Sequence, residues 1–187
     1  MTKEIMDRPA LRELLDMKNL VGAEIGVQRG LNAERILKTL HIKKLYLIDP
    51  YEAFVEKGSV SSETTNRWLA EAKRKLKKWE KKLVWVRKKA VDGVEDIPDG
   101  ELDFIYHDGS HTYKNVKKEL ELYEQKVKPG GLIAGHDYNK KGVMMAVNER
   151  FGEKVAIDIH VRKKKGRKIV KDWWIWKPEE VEDEKES

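Results

Sequence analysis

Two His-Asp clusters hold the residues best suited to chemistry in this 187-residue chain: His107-Asp108-Gly109-Ser110-His111 and Gly135-His136-Asp137-Tyr138. Carboxylate oxygens at such positions suit a hard cation. A neutral imidazole beside them can take a proton near pH 7 without special tuning. The structural alternative is that the aspartates cap helices and the histidines are ordinary polar contacts. A third candidate is the run Glu24-Ile25-Gly26-Val27-Gln28-Arg29-Gly30. Glycines let a backbone turn tightly and approach a ligand closely. The dinucleotide fingerprint G-x-G-x-x-G needs a second glycine where this chain has Gln28, which counts against a nicotinamide cofactor. Asp49 lies 23 residues beyond Gly26, near the ~20 at which an acid accepts hydrogen bonds from ribose hydroxyls. Taken alone, Asp49 could equally be a turn cap.

These residues matter together only if the fold brings them together. The apolar pattern predicts helices at 8–18, 31–40, 61–81, 112–127 and 140–151, and strands at 20–27, 44–48, 83–87, 102–107 and 132–136. Pro98-Asp99-Gly100 and Pro129-Gly130-Gly131 read as turns between units. Runs 155–161 and 172–176, flanking RKKKGRKIVK with Gly166 at its middle, read as a terminal hairpin. Strands alternating with helices imply an α/β fold with a mostly parallel sheet covered on both faces. Ligands bind such sheets at the carboxyl ends of the strands. That is where both His-Asp clusters, the glycine turn and Asp49 fall.

Composition narrows the class. The absence of cysteine excludes disulfide scaffolds, zinc-thiolate sites and thiol nucleophiles. No apolar run approaches the ~18 residues of a membrane span, and the charged start MTKEIMDRPALRELL does not read as a signal peptide. A soluble cytoplasmic protein with no membrane partner is expected, as one domain over 1–178 and an acidic, disordered tail over 179–187. Counts of 29 Lys, 21 Glu and 2 Gln resemble a thermophile composition; an AT-rich genome would also favour Lys.

In EIGVQRG at 24–30, LYLIDPY at 45–51, LDFIYHDGSHTYKNVKKELELYEQKVKPGGLIAGHDY at 102–138 and DWWIWKP at 172–178, the chain resembles the class I S-adenosylmethionine-dependent methyltransferases. The nearest subgroup is the small O-methyltransferases that include macrolide sugar methyltransferases and cephalosporin-hydroxylase-like proteins. The resemblance spans nearly everything after residue 20, and 102–138 is its most specific part. It implies a Rossmann-like seven-stranded methyltransferase fold, mostly parallel, with a C-terminal antiparallel hairpin. It also implies roles. Glu24, Gly26, Gln28 and Gly30 fall in the motif that holds the methionine part of the cofactor. Asp49 matches the ribose acid, Ala90 and Val91 the adenine contact, and Asp108 the acid that faces cofactor or metal. His136 and Asp137 would complete, with Asp108, a site for Mg²⁺ or another divalent cation. His111 matches the general base. Gln28 departs from the glycine pattern, and His136 stands where relatives carry an acid or amide. A small hydroxyl-bearing acceptor of sugar or natural-product type is the expected substrate. Oligomeric state stays open, a homodimer among the options.

Three other readings accompany this one: a nucleic-acid methyltransferase or nucleic-acid-binding protein gripping phosphates through RKKKGRK, a nicotinamide-dependent dehydrogenase, and a fold-conserving protein that only binds. The net charge of +6 bears on the first. Residues 67–89 carry eleven basic and two acidic side chains, and 162–171 carry seven basic ones. In the expected fold these two segments lie toward opposite sheet edges and form no common groove. A small acceptor is therefore expected over a nucleic acid.

Overall fold

The computed structural model describes residues 8–55, 59–163 and 167–179. Strand β1 (Leu20–Ile25) is buried along its whole length. It lies between β2 (Ile42–Ile48) and β6 (Leu102–His107), which explains its unbroken apolar run. Beyond β2 lies β5 (Leu83–Val86). Beyond β6 lie β7 (Val127–Gly135), β9 (Arg167–Trp176) and β8 (Ala156–Lys163), so the seven-stranded sheet runs β5-β2-β1-β6-β7-β9-β8. Pairing is parallel from β5 to β7 and antiparallel from β7 to β8. This is the Rossmann-like methyltransferase sheet with its terminal hairpin. Residues 164–166, around the Gly166 expected at the hairpin's middle, and residues 180–187 of the expected tail lie outside the described residues.

Helices cover both faces because each carries one apolar stripe. On one side α1 (Pro9–Arg12), α2 (Leu31–Thr39) and α3 (Ser62–Leu76) bury Leu11, Ile36, Leu69 and Leu76 against Leu45 and Phe104. On the other, α4 (Ala90–Gly93), α5 (Tyr113–Tyr123) and α6 (Lys141–Phe151) close over Ile25, Ile105 and Ile133. Trp173 is fully buried on this second side and Trp174 packs on the first, in keeping with strand alternation. Trp68 and Trp79 pack, partly buried, against the first core.

Several element ends differ from the sequence pattern. The first helix stops after Arg12 rather than running to 18. The third stops at Leu76, and Lys77–Lys82 tighten into a 3₁₀ turn, because that KKWEKK stretch buries no residue to hold a helical face. Pro129-Gly130-Gly131 does not precede β7 but lies inside it. There the register jumps from Leu102↔Val127 to Phe104↔Leu132, and Gly130 takes φ +70°. The bulged strand keeps its ladder through Gly130 N–H to Lys177 O at 3.0 Å and Lys177 N–H to Gly131 O at 2.8 Å. Two short strands, β3 (Phe54–Val55) and β4 (Ser59–Val60), pair between β2 and α3, where the apolar pattern predicts no element.

Candidate active site

One row of backbone hydrogen bonds lines up the strand ends. Asp49 N–H donates to Val86 O at 3.2 Å, Gly26 N–H to Ile48 O, Asp108 N–H to Ile25 O and His136 N–H to His107 O, the last three at 2.9 Å. Each donor is the first residue beyond its strand. The slanted ladder of a parallel sheet therefore sets Asp49, Gly26, Asp108 and His136 side by side across five strands.

The glycine turn is built around a close approach. Gly26 has φ +87°, and a Cβ there would lie 2.4 Å from Asp108 O. Only glycine fits that position. Gln28 also takes the left-handed region, at φ +48°. Two neighbours hold it there: its N–H donates to Asp49 Oδ2 at 2.9 Å, and its carbonyl accepts from the Tyr51 hydroxyl at 2.9 Å. The missing second glycine is thus offset by pinning both backbone groups of Gln28. Gly30, at φ +70°, then starts α2. Asp49 also accepts from Tyr51 N–H at 2.9 Å, so its carboxylate is fixed at the end of β2. Burial raises the Asp49 carboxyl, and the backbone donors of Gln28 and Tyr51 offset part of that rise. Ala90 and Val91 open α4 just past β5. The Ala90 carbonyl accepts from Tyr123 at 2.8 Å, while Val91 stays exposed.

The two His-Asp clusters meet between β6 and β7, but not every member takes part. His111 Nε2 lies 2.7 Å from Asp137 Oδ2. His136 Nδ1 lies 3.4 Å from both Asp108 Oδ1 and Asp137 Oδ2. Asp137 reaches both histidines from a left-handed backbone, φ +56°. Burial acts to raise its carboxyl, but hydrogen bonds from His111 and His136 outweigh this and hold it well below the usual carboxylate range. Burial acts to lower His136, and its bonds to Asp108 and Asp137 reverse that into a rise. His107 points the other way. It stacks on Trp173 at 6.0 Å and faces Glu119 at 3.9 Å, beneath a small cavity that also touches His111 and Asp137.

Two charged neighbours of the site carry no motif. Arg8, 4% exposed, donates from Nε to Asn32 Oδ1 at 3.1 Å and from Nη2 to Asp108 Oδ2 at 3.3 Å. Its Nη1 lies 3.8 Å from Asp172 Oδ1. Asp172 is fully buried and sits 3.9 Å from His136 Nε2. Burial pushes its carboxyl up to about 6, against the pull of Arg8 and His136. The parity it shares with Trp174 was the available signal that this acid faces inward. For Arg8, nothing local in the sequence distinguished it from other surface-type arginines.

The residues fit the cofactor that the resemblance implies. Glu24 is fully buried, and neither of its oxygens has a hydrogen bond of good geometry among the described residues. Burial, reinforced by the charge of Asp108, pushes its carboxyl up to about 8, although nearby Asn32 and Arg8 oppose the rise. A buried acceptor of this kind calls for a donor such as an ammonium group. For a metal, Asp108, His136 and Asp137 each offer a ligand atom within 4.8 Å of the others, close enough to share one cation. Asp108 already has the Arg8 guanidinium as a cationic neighbour, and Asp137 has the His111 imidazole as a hydrogen-bond partner.

Comparisons with known proteins agree with this geometry. The family profile described as "Methyltransferase domain" matches residues 23–138. Over 72 residues the chain is 29% identical to the uncharacterised protein y4gI of Sinorhizobium fredii; the match covers 38% of this chain and 8% of that protein. A precorrin-6Y C5,15-methyltransferase from Geobacter metallireducens superposes with a TM-score of 0.66 at 17% identity, over 90% of this chain and 86% of that one. An rRNA methylase from Streptococcus thermophilus does so with a TM-score of 0.64 at 12% identity, over 96% and 99%. No helix among the described residues is long and apolar enough to cross a membrane. With the glycine turn, the strand-end acids and more than half of its length matched by the profile, the chain belongs to the methyltransferase-domain family.

Proposed function

We propose that this enzyme methylates the hydroxyl oxygen of a small acceptor, with His111 as general base. The observation that carries this reading is the 2.7 Å contact between His111 Nε2 and Asp137 Oδ2 beside Asp108. Asp137 stays ionised and accepts the Nε2 proton, which fixes the tautomer and puts the basic lone pair on Nδ1. His111 is partly exposed, as a base that meets a diffusing acceptor must be. S-adenosylmethionine supplies a sulfonium-bound methyl group that an oxygen nucleophile can attack in line. The protein contributes position: Glu24 and the Gly26–Gly30 turn toward the methionine end, Asp49 toward the ribose, Ala90 and Val91 toward adenine. A small acceptor is preferred to a nucleic acid because the two basic segments lie at opposite sheet edges, β5 and the β8–β9 hairpin.

Metal assistance is a second reading, favoured by the 4.8 Å convergence of Asp108, His136 and Asp137. A divalent cation held there would lower the pKa of the acceptor hydroxyl.

Both readings are tested by release of S-adenosylhomocysteine over a panel of hydroxyl-bearing sugars and phenols. His111→Ala is expected to lower turnover about 10²- to 10⁴-fold while leaving S-adenosylhomocysteine affinity near that of the wild type. Full turnover in His111→Ala contradicts the base assignment. Turnover that survives exhaustive chelation and ignores added Mg²⁺ or Mn²⁺ contradicts the metal.

A further inference from the structure

We propose that Arg8 recognises the carboxylate at the amino-acid end of the cofactor. The inference rests on the methyltransferase reading of the glycine turn, and it adds a residue that no motif supplies. Around the first turn of α2, buried polar atoms are left without a hydrogen bond of good geometry among the described residues: Arg8 Nη1, and Asn32 Nδ2 and both oxygens of Glu24, which approach one another. Two are donors and two are acceptors. Glu24 and Asn32 lie two positions before and after the Gly26–Gly30 turn, and Arg8 bonds Asn32.

The methionine end of the cofactor is a zwitterion. Its ammonium group offers three donors, which answer the oxygens of Glu24. Its carboxylate offers lone pairs on two oxygens, which answer Arg8 Nη1. Water could pair with any one of these atoms but brings no charge of either sign. Asp108 adds a second acid on the ammonium side, 3.3 Å from Arg8 Nη2.

Arg8 is also organised in advance for the task. Asn32 holds its Nε and Asp108 holds its Nη2, so the guanidinium plane is set before any ligand arrives. Among the described residues, the remaining nitrogen, Nη1, has the 3.8 Å approach of Asp172 and no hydrogen bond. Exchanging that long contact for a carboxylate oxygen yields a short, charge-assisted bond. A lysine could not keep the other two contacts, because its ammonium is a single point of charge.

Calorimetry on the full chain tests the assignment with S-adenosylhomocysteine and its decarboxylated analogue, S-adenosyl-3-thiopropylamine. The wild type is expected to prefer S-adenosylhomocysteine by about 10- to 100-fold, the worth of one hydrogen bond to a charged group. Arg8→Met should lose affinity for S-adenosylhomocysteine by that same factor and bind the analogue as the wild type does. Equal weakening of both ligands in Arg8→Met, or equal binding of both by the wild type, overturns the proposal. Should thermal unfolding show that Arg8→Met does not fold, Arg8→Lys decides: it must retain less of the preference than the wild type. Absence of any S-adenosylhomocysteine binding to the wild type is a different failure, that of the cofactor reading itself.

Discussion

Glu24 is the only charged residue in β1, and it is fully buried with no well-aligned hydrogen-bond partner among the described residues. Burial, with Asp108 adding to it, raises its carboxyl to about 8 from an ordinary value of 4.5. A raised acid binds its proton more tightly in the folded state than in the unfolded one. Its contribution to stability is therefore complete below pH 4.5 and is lost as pH rises through about 8. Between about pH 5 and about pH 9, the wild type should lose more stability than Glu24→Gln, by on the order of a few kcal/mol. Thermal unfolding of both proteins at the two pH values checks this, and equal losses would contradict it. At this scale the sequence was legible where residue type and strand-end position coincide: Asp49, Asp108, His111, His136 and Asp137 all stand at the site. His107 shares a cluster with them but turns into the core, because strand alternation separates it from Asp108. Arg8 and Asp172 come from distant stretches, and only tertiary packing brings them under Asp108.

The elements position these residues through their ends. Four donors, each one residue past a strand, share a single row of hydrogen bonds. The row depends on β1 and β6 approaching closely at Gly26, where φ is +87° and a Cβ would meet Asp108 O at 2.4 Å. Gly100 supplies the control, with φ +63° and no atom within 4 Å of its would-be Cβ. Gly100→Ala should cost only the conformational penalty, about 1–2 kcal/mol. Gly26→Ala adds a backbone clash and should destabilise clearly more, by about 3 kcal/mol or above. Denaturant unfolding of the two variants separates the terms; equal costs would mean that the β1–β6 approach is looser than described. Apolar periodicity located every major helix and every strand of the large sheet, because those patterns are what the core reads. It misplaced ends such as Lys77–Lys82 and the Pro129-Gly130-Gly131 bulge. There the outcome turns on whether a neighbour is close enough to pay for the next turn or rung, which no local pattern records.

Across the whole molecule, charge is divided rather than averaged. The basic segment 67–89 runs through α3, the 3₁₀ turn and β5, and the described residues of the second segment, 162–163 and 167–171, lie in β8 and β9. Six strand spacings at roughly 4.8 Å put these margins about 30 Å apart. Between them the row of strand ends carries the acids Asp49, Asp108 and Asp137. A cofactor with a sulfonium and an ammonium group is drawn to such a row, while the basic margins stand away from it. The family and the fold follow from this core of the chain, whereas the acceptor is a matter of loop shape, which composition does not encode. The most direct test of the account is the binding of S-adenosylhomocysteine to the wild-type protein, followed by calorimetry and by thermal shift. The account predicts saturable one-to-one binding with a rise in unfolding temperature. Neither heat nor thermal shift at about millimolar ligand, a level at which even a binding energy of about 4 kcal/mol would register, would contradict it.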